Sequence, residues 1–409
     1  MHIRPSGITR ARRQRRAYLA PSSFAAIVLA LTVPAAWSAV QAQDAVPAVT
    51  VRQVAGYDSV FFVRSDGSAV YFRRDALGPG AVVKKLELPG KVRQVAEGSD
   101  MAYALMEDGA LYAWGTNDRG QFGRGPGSSR TPENPLRSER PIRMIVPADI
   151  VQISAAGHHA MAVRKDGTVL EWGDRPSPGA GDTDGALAPV PGLVDIVKVA
   201  AAGDHDLALT RGGLVFAWGE NKNGQIGHPL EIKRSATPVQ VPGLDHAVDI
   251  AAAGTTNFGF SGALKDDGTV WMWGSDESAT MGDGVFWANN GPANENHSTP
   301  VMVKGVTGGR TLSAGVGHVM VLLKDGTIVG WGHDGWGQIG VGTNGFYQPL
   351  PKKPAITDVV AVYPVANSTI AVKADGTIWW WGTRLLHNGT GATGQDQKLP
   401  RQLRLPEPG

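Results

Sequence analysis

Seven copies of one short frame leave this chain few folds to choose from. Residues 267–274 read DGTVWMWG, and the frame returns as DGALYAWG at 108, DGTVLEWG at 166, GGLVFAWG at 212, DGTIVGWG at 325 and DGTIWWWG at 375, with a degraded first copy, DGSAVYFR, at 66. Successive copies start 42, 58, 46, 55, 58 and 50 residues apart, a period of about 51 that belongs to repeat arrays and propellers. Asp-Gly supplies a tight turn, because Gly accepts positive φ and Asp hydrogen-bonds its own backbone, so the flanking runs read as a β-hairpin. After the turn, aliphatic residues (Leu111, Val169, Val215, Val270, Ile328, Ile378) stand second from the Gly, and Trp114, Trp172, Trp218, Trp273, Trp331 and Trp381 stand fifth. Strand side chains alternate between faces, so the aliphatic and the Trp point to opposite sides and both sides need cover. A sheet buried on both faces and repeated seven times suits a propeller, where each blade is packed between two others.

The rest of the mature chain divides into units with little left over. A typical unit reads as a Pro-flanked strand such as 237–243, an aliphatic strand such as 248–254, the strand before the turn and the Trp strand. The expected fold is therefore all-β, a seven-bladed propeller of four-stranded blades. The tail 400–406 resembles one more Pro-flanked strand with no unit after it, and is expected to close the ring by pairing with the first blade around 51–72, with 46–50 as a competitor for that place. Composition agrees: 54 Gly and 27 Pro in 409 residues mean many turns, and 42% apolar content is enough for a large core.

Residues 1–42 differ from the remainder. Six Arg (4, 10, 12, 13, 15, 16) precede an apolar segment from about 24 to 33, and Val40, Gln41 and Ala42 offer a small-residue cleavage site. The expectation is a signal peptide over 1–42, a propeller over 43–409, and an exported protein that is periplasmic or secreted. The run 15–19 loosely resembles a twin-arginine signal. An apolar core of about ten residues is half of what a membrane span needs, so no span is expected after cleavage. Taking six Arg from the 39 basic residues leaves 33 against 37 acidic ones, a net of −4, and no Lys/Arg cluster with interleaved aromatics remains to bind nucleic acid. With no Cys, disulfides, thiolate metal sites and Cys nucleophiles are excluded.

Three copies continue past the Trp in a shared way: WGTNDRGQFG at 114–123, WGENKNGQIG at 218–227 and WGHDGWGQIG at 331–340. These segments, with the Ala-Gly-x-His runs that place His159, His205 and His318 seven residues before the turn frame, resemble the repeat of the regulator-of-chromosome-condensation (RCC1) family over roughly 49–406. The resemblance implies a seven-bladed propeller serving as a binding platform. The copies at Trp172, Trp273 and Trp381 lack the Gly-Gln-x-Gly, and an exported chain would not meet the nuclear partners of the family's eponymous member.

Catalytic motifs are not found in the sequence. The three His stand at equivalent places in different blades, which reads as structural hydrogen bonding, so no metal and no cofactor are expected. Asp182, Asp184 and Gly185 resemble a calcium loop without its remaining ligands and read as a turn. Paired carboxylates could still converge in the central funnel, which keeps an exported hydrolase or lyase on polysaccharide or peptide as the alternative function. The preferred function is protein binding. Insertions at 124–140, 174–188, 275–299 and 341–350 fall at the same point of the unit and should therefore share one face of the ring, where recognition residues concentrate. Phe286, Trp287, Asn289, Asn290, Asn296 and His297 in the longest insertion, with Phe346 and Tyr347, are the candidate partner-binding residues, and a glycan is the second class of partner such aromatics suit. Trp271, Trp379 and Trp380 lie in the repeating strand and read as blade packing, and Arg130, Arg137, Arg140 and Arg143 as solvated loop charge.

Overall fold

Residues 50–73, 82–125, 127, 134–175, 185–254, 258–285, 296–343, 345–383 and 396–405 are described by the computed structural model. All belong to one compact unit, Ala48–Gly409; residues 1–42, expected as a leader, lie outside them.

Seven four-stranded antiparallel sheets follow one another along the chain. Each begins on an inner strand: Val51–Gly56, Val92–Glu97, Ile150–Ala156, Ile196–Ala201, Ala247–Ala253, Gly309–Ala314 and Val359–Val365 in blades 1 to 7. The second strand is buried on both faces, as in Met101–Met106, where all six residues are buried. The third carries the Trp. The fourth is the outer strand, and it tolerates Pro238, Pro300 or Pro400 because its outward edge has no ladder to complete.

The turn chemistry is the one the sequence dictates. Asp267 Oδ1 accepts from Thr269 N at 2.8 Å and Thr269 Oγ1 at 2.7 Å, with Gly268 at φ 83°. In blade 4, where Gly212 replaces the Asp, Thr210 Oγ1 accepts from Leu214 N instead, at 2.9 Å.

The phase of the repeat differs from the expected one. The Pro-bearing strand Arg234–Gln240 pairs with Val215–Glu220, the Trp strand before it, so it closes a blade rather than opening the next. A periodic sequence has no intrinsic first strand, and antiparallel pairing with the Trp strand decides the matter. The tail is corrected in the same way. Gln397–Leu403 pairs with Ile378–Gly382 inside blade 7, and not with residues 51–72. It contributes to closure through packing: Leu403 shares one core cluster with Ile370 and Trp380 of blade 7 and with Val54, Phe62 and Phe72 of blade 1. Tyr363 Oη also donates to Arg52 O at 3.0 Å across this junction.

Between blades each of five core clusters is built around one buried indole. Trp172, Trp218, Trp273, Trp331 and Trp381 are fully buried, and Trp114 meets Phe61 of blade 1 edge-on at 5.7 Å. Trp271 and Trp379 are packed and bonded locally, each Nε1 donating to Thr269 or Thr377 Oγ1 at 3.1 and 3.0 Å, as expected for blade residues rather than a sugar platform.

Candidate functional site

A four-stranded meander returns its first and third connections to the same end. The tight turns after the inner strands and the insertions after the Trp strands therefore share one face of the ring, and the central channel opens between those turns.

At the centre of that face is a cavity of ≈ 310 Å³, walled by Ala and Gly where seven inner strands converge, with Tyr57, Glu97, Ser99 and His158 as its polar groups. Glu97 accepts from Tyr57 N at 2.5 Å and Ser59 N at 3.0 Å, yet burial pushes its carboxyl up to about 8. Among the described residues no hydrogen bond joins Glu97 to His158, whose Nδ1 has no partner. Deeper in, side chains clasp neighbouring inner strands. Gln53 holds Val95 N and O at 2.9 and 2.8 Å, and Gln94 holds Ile153 N and O at 3.0 and 2.8 Å. Asp249 pairs with Lys198 and accepts from Leu312 N at 2.9 Å.

Around this mouth the Gly-Gln-x-Gly loops latch one blade to the next. Trp273 Nε1 donates to Gln225 O at 2.9 Å and Trp381 Nε1 to Gln338 O at 2.8 Å. Blade 5 lacks the motif, but Thr280 O serves Trp331 at 2.7 Å. The side chains of Asn221 and Asp334 shape these loops by accepting from Ile226 N and Ile339 N at 3.2 and 2.9 Å.

The three His behave as seam residues. His205 Nε2 meets Ser261 Oγ at 2.8 Å and His318 Nε2 meets Thr369 Oγ1 at 3.0 Å. Ser261 and Thr369 each donate to the latch carbonyl, at 2.9 and 2.8 Å, and His318, whose Nδ1 has no partner, is the donor to Thr369. Burial pushes His318 down to about 3. His159 Nε2 meets instead a carboxylate, Asp206 Oδ1, at 2.9 Å; burial is the largest single influence and lowers His159, but the charge and hydrogen bond of Asp206 together with the charges of Glu171 and Asp174 leave it raised.

The rim holds the predicted binding residues, and only some of them meet. Phe286, Trp287, Asn289 and Asn290 lie outside the described residues. Asn296 Nδ2 donates to Asn223 Oδ1 of blade 4 at 3.2 Å, and His297 begins an outer strand opposite Gly274. Among the described residues neither joins Phe346 or Tyr347. Phe346 and Tyr347 do come together with two residues the sequence reading passed over. The His333 ring lies 4.7 Å from Trp336 and meets Tyr347 edge-on at 5.4 Å, and Phe346 passes over Gly335, where a Cβ would stand 3.0 Å from its ring. Trp336 and His333 were absorbed into the WGHDGWGQIG signature; the aromatic at 336, where the other two copies carry Arg119 and Asn223, was the available clue. Phe346 is 70% exposed and Trp336 40%, with Leu350 at 40% and Leu399 at 50% on the adjoining outer strands.

A family model described as the RCC1-like domain matches residues 65–353. The chain is 28% identical over 297 residues to the mitochondrial RCC1 domain-containing protein RUG3 of Arabidopsis thaliana, covering 71% of this chain and 54% of that protein. It is also 28% identical over 307 residues to the ultraviolet-B receptor UVR8 of the same plant, covering 71% and 65%. It thus spans less than two thirds of either relative. Among solved structures, yeast RCC1 (Prp20) bound to Kap60 superposes with a TM-score of 0.65 at 22% identity, over 77% of this chain and 75% of that one. Human WBSCR16 does so with a TM-score of 0.65 at 20% identity, over 80% and 85%.

Proposed function

Because the chain belongs to the RCC1-like domain family, we propose that it is an exported protein-binding scaffold whose partner docks on the insertion face. The observation that carries this reading is the rim of blade 6, where Trp336 and Phe346 stay exposed on a framework of buried polar anchors. Rigid aromatics on a fixed loop bind at low entropic cost, and such residues dominate interface energetics. Gln338 Nε2 holds His333 Nδ1 at 2.7 Å, and Asp334 N donates to Phe346 O at 2.7 Å, so the cluster is preorganised. Platform use is what the family resemblance supports: Prp20 has been solved with Kap60, and its binding to Gsp1p and histones is named with a second structure. Those partners are that protein's own. Export rests on the Arg-rich and then apolar segment at 1–42, and it assigns the partner to the cell envelope or its surroundings.

The test is affinity capture from envelope and medium with the intact protein, with Trp336→Ala/Phe346→Ala, and with the 284–297 loop replaced by a short Gly-Ser turn. A partner held by the intact ring and lost with either change supports the insertion face. Capture that ignores both changes moves the binding surface elsewhere. Fractionation of cells producing the chain with and without residues 1–42 decides the export proposal: only the longer form should leave the cytoplasm.

A further inference from the structure

We propose that the seam between blades 3 and 4 is a binding site for one divalent transition-metal ion, held by His159, Glu171 and Asp206. One donor atom from each of the three residues lies within 4.8 Å of the others, and the side chains are 1%, 6% and 0% exposed. His159 opens the second strand of blade 3, Glu171 lies on its third strand facing away from Trp172, and Asp206 is second in the neighbouring strand of blade 4. Two ligands at about 2.1 Å from one tetrahedral ion stand about 3.4 Å apart, so the 2.9 Å between His159 Nε2 and Asp206 Oδ1 has to open by about half an ångström to admit the ion.

The repeat provides its own control. At Glu171's place the other blades carry only Ala, Gly, Met or an aromatic, Ala113 and Ala217 among them, and at Asp206's place only Val, Ala, Ser261 or Thr369. Two carboxylates have entered adjacent blades at the two positions that converge on one His. Buried carboxylates beside an imidazole are costly unless neutralised, and a divalent ion would add to the charge that His159 offers Asp206. Asp206 Oδ2 is fully buried with no hydrogen-bond partner. At the same seam Trp218 Nε1 has no latch partner among the described residues. The ion would replace that latch as a staple between the blades. One nitrogen and carboxylate oxygens suit Zn2+, with Mn2+ as the harder alternative.

The experiment uses the full chain, dialysed against Zn2+ or Mn2+ and then freed of excess, with metal content measured by mass spectrometry and Tm by calorimetry with and without chelator. The double variant Glu171→Ala/Asp206→Ser gives this seam the residues that Ala217 and Ser261 supply in blades 4 and 5, and so keeps a packing the ring already uses; Asp206→Asn, which keeps the shape and an acceptor for His159, is the second variant. Wild type should retain about one ion per chain and lose Tm on chelation, while both variants should bind more than about 100-fold more weakly and show a Tm indifferent to chelator. Retention of neither metal by wild type, or equal retention by the variants, overturns the site. A wild-type Tm that ignores chelator overturns the staple.

Discussion

The seam between blades 4 and 5 and the seam between blades 3 and 4 are built on the same Trp and His positions and treat their polar groups differently. In the first, Gln225 O takes Trp273 Nε1 and Ser261 Oγ, and Ser261 Oγ meets His205 Nε2. His205 Nδ1 faces Asp204 at 2.9 Å, and Gln225 Nε2 donates to the other oxygen of Asp204 at 3.1 Å. In the second, Trp218 Nε1 and Asp206 Oδ2 are left without hydrogen-bond partners among the described residues. Apolar packing of one indole against the aliphatic residues of the preceding blade is common to both; the polar complement is free to change from seam to seam. Variation there costs little fold and so is where a new property can be placed.

Removing the shared element should have the largest effect. Trp273→Ala and Trp218→Ala each empty a fully buried indole pocket, and each should cost about 3–5 kcal/mol in denaturant unfolding. If one is nearly silent, the two seams do not share a packing core. Cutting the motif rather than the core comes next. Gln225→Ala strips the partner from buried Asp204 and from Asn223 N, whose bond to Gln225 Oε1 is 2.9 Å, and should cost about 1–3 kcal/mol. Glu171→Ala should cost clearly less in the presence of chelator, because the sister blades carry Ala at its place. The Trp→Phe pair sharpens the contrast. Trp273→Phe gives up a bond to Gln225 O, whereas Trp218→Phe gives up a donor with no acceptor, so the first should be destabilising by about 1 kcal/mol more than the second. Equal losses would show that Trp218 has an acceptor after all.

A pH-dependent effect is expected at the cavity, where Glu97 is a third kind of carboxylate, accepting from the backbone N–H groups of Tyr57 and Ser59. Its pKa is about 8 in the folded chain against an ordinary 4.5, so between those values the folded state holds the extra proton. The stability this gives is complete below pH 4.5 and is lost as pH rises through 8. Glu97→Gln should therefore flatten the decline of Tm between pH 5 and pH 8, measured by thermal melts across that range. A slope unchanged by the substitution would assign the decline to other groups.

Much of the architecture was readable from the chain because its causes are local. Asp-Gly turns, the period-2 placement of Val270 against Trp273, and the count of four strands per unit depend only on neighbouring residues. The shared face of the insertions was readable too, since equivalent connections in a meander leave at the same end. Phe346 and Tyr347 were found as loop aromatics, but His333 and Trp336, which complete their cluster, were hidden inside the repeat signature. Glu171 and Asp206 had a signal that was legible and not used: aligning the seven copies column by column shows acids where every other copy is uncharged.

By itself, then, the sequence determined the number of blades, the turns that end their strands and the faces their side chains take, because each follows from interactions a few residues long. Only the tertiary structure decided which strand begins a blade, where the tail pairs, and which residues from different blades meet. A periodic chain can be cut into units at any strand, and His159 meets Asp206, 47 residues away, only once the blades have stacked around the ring.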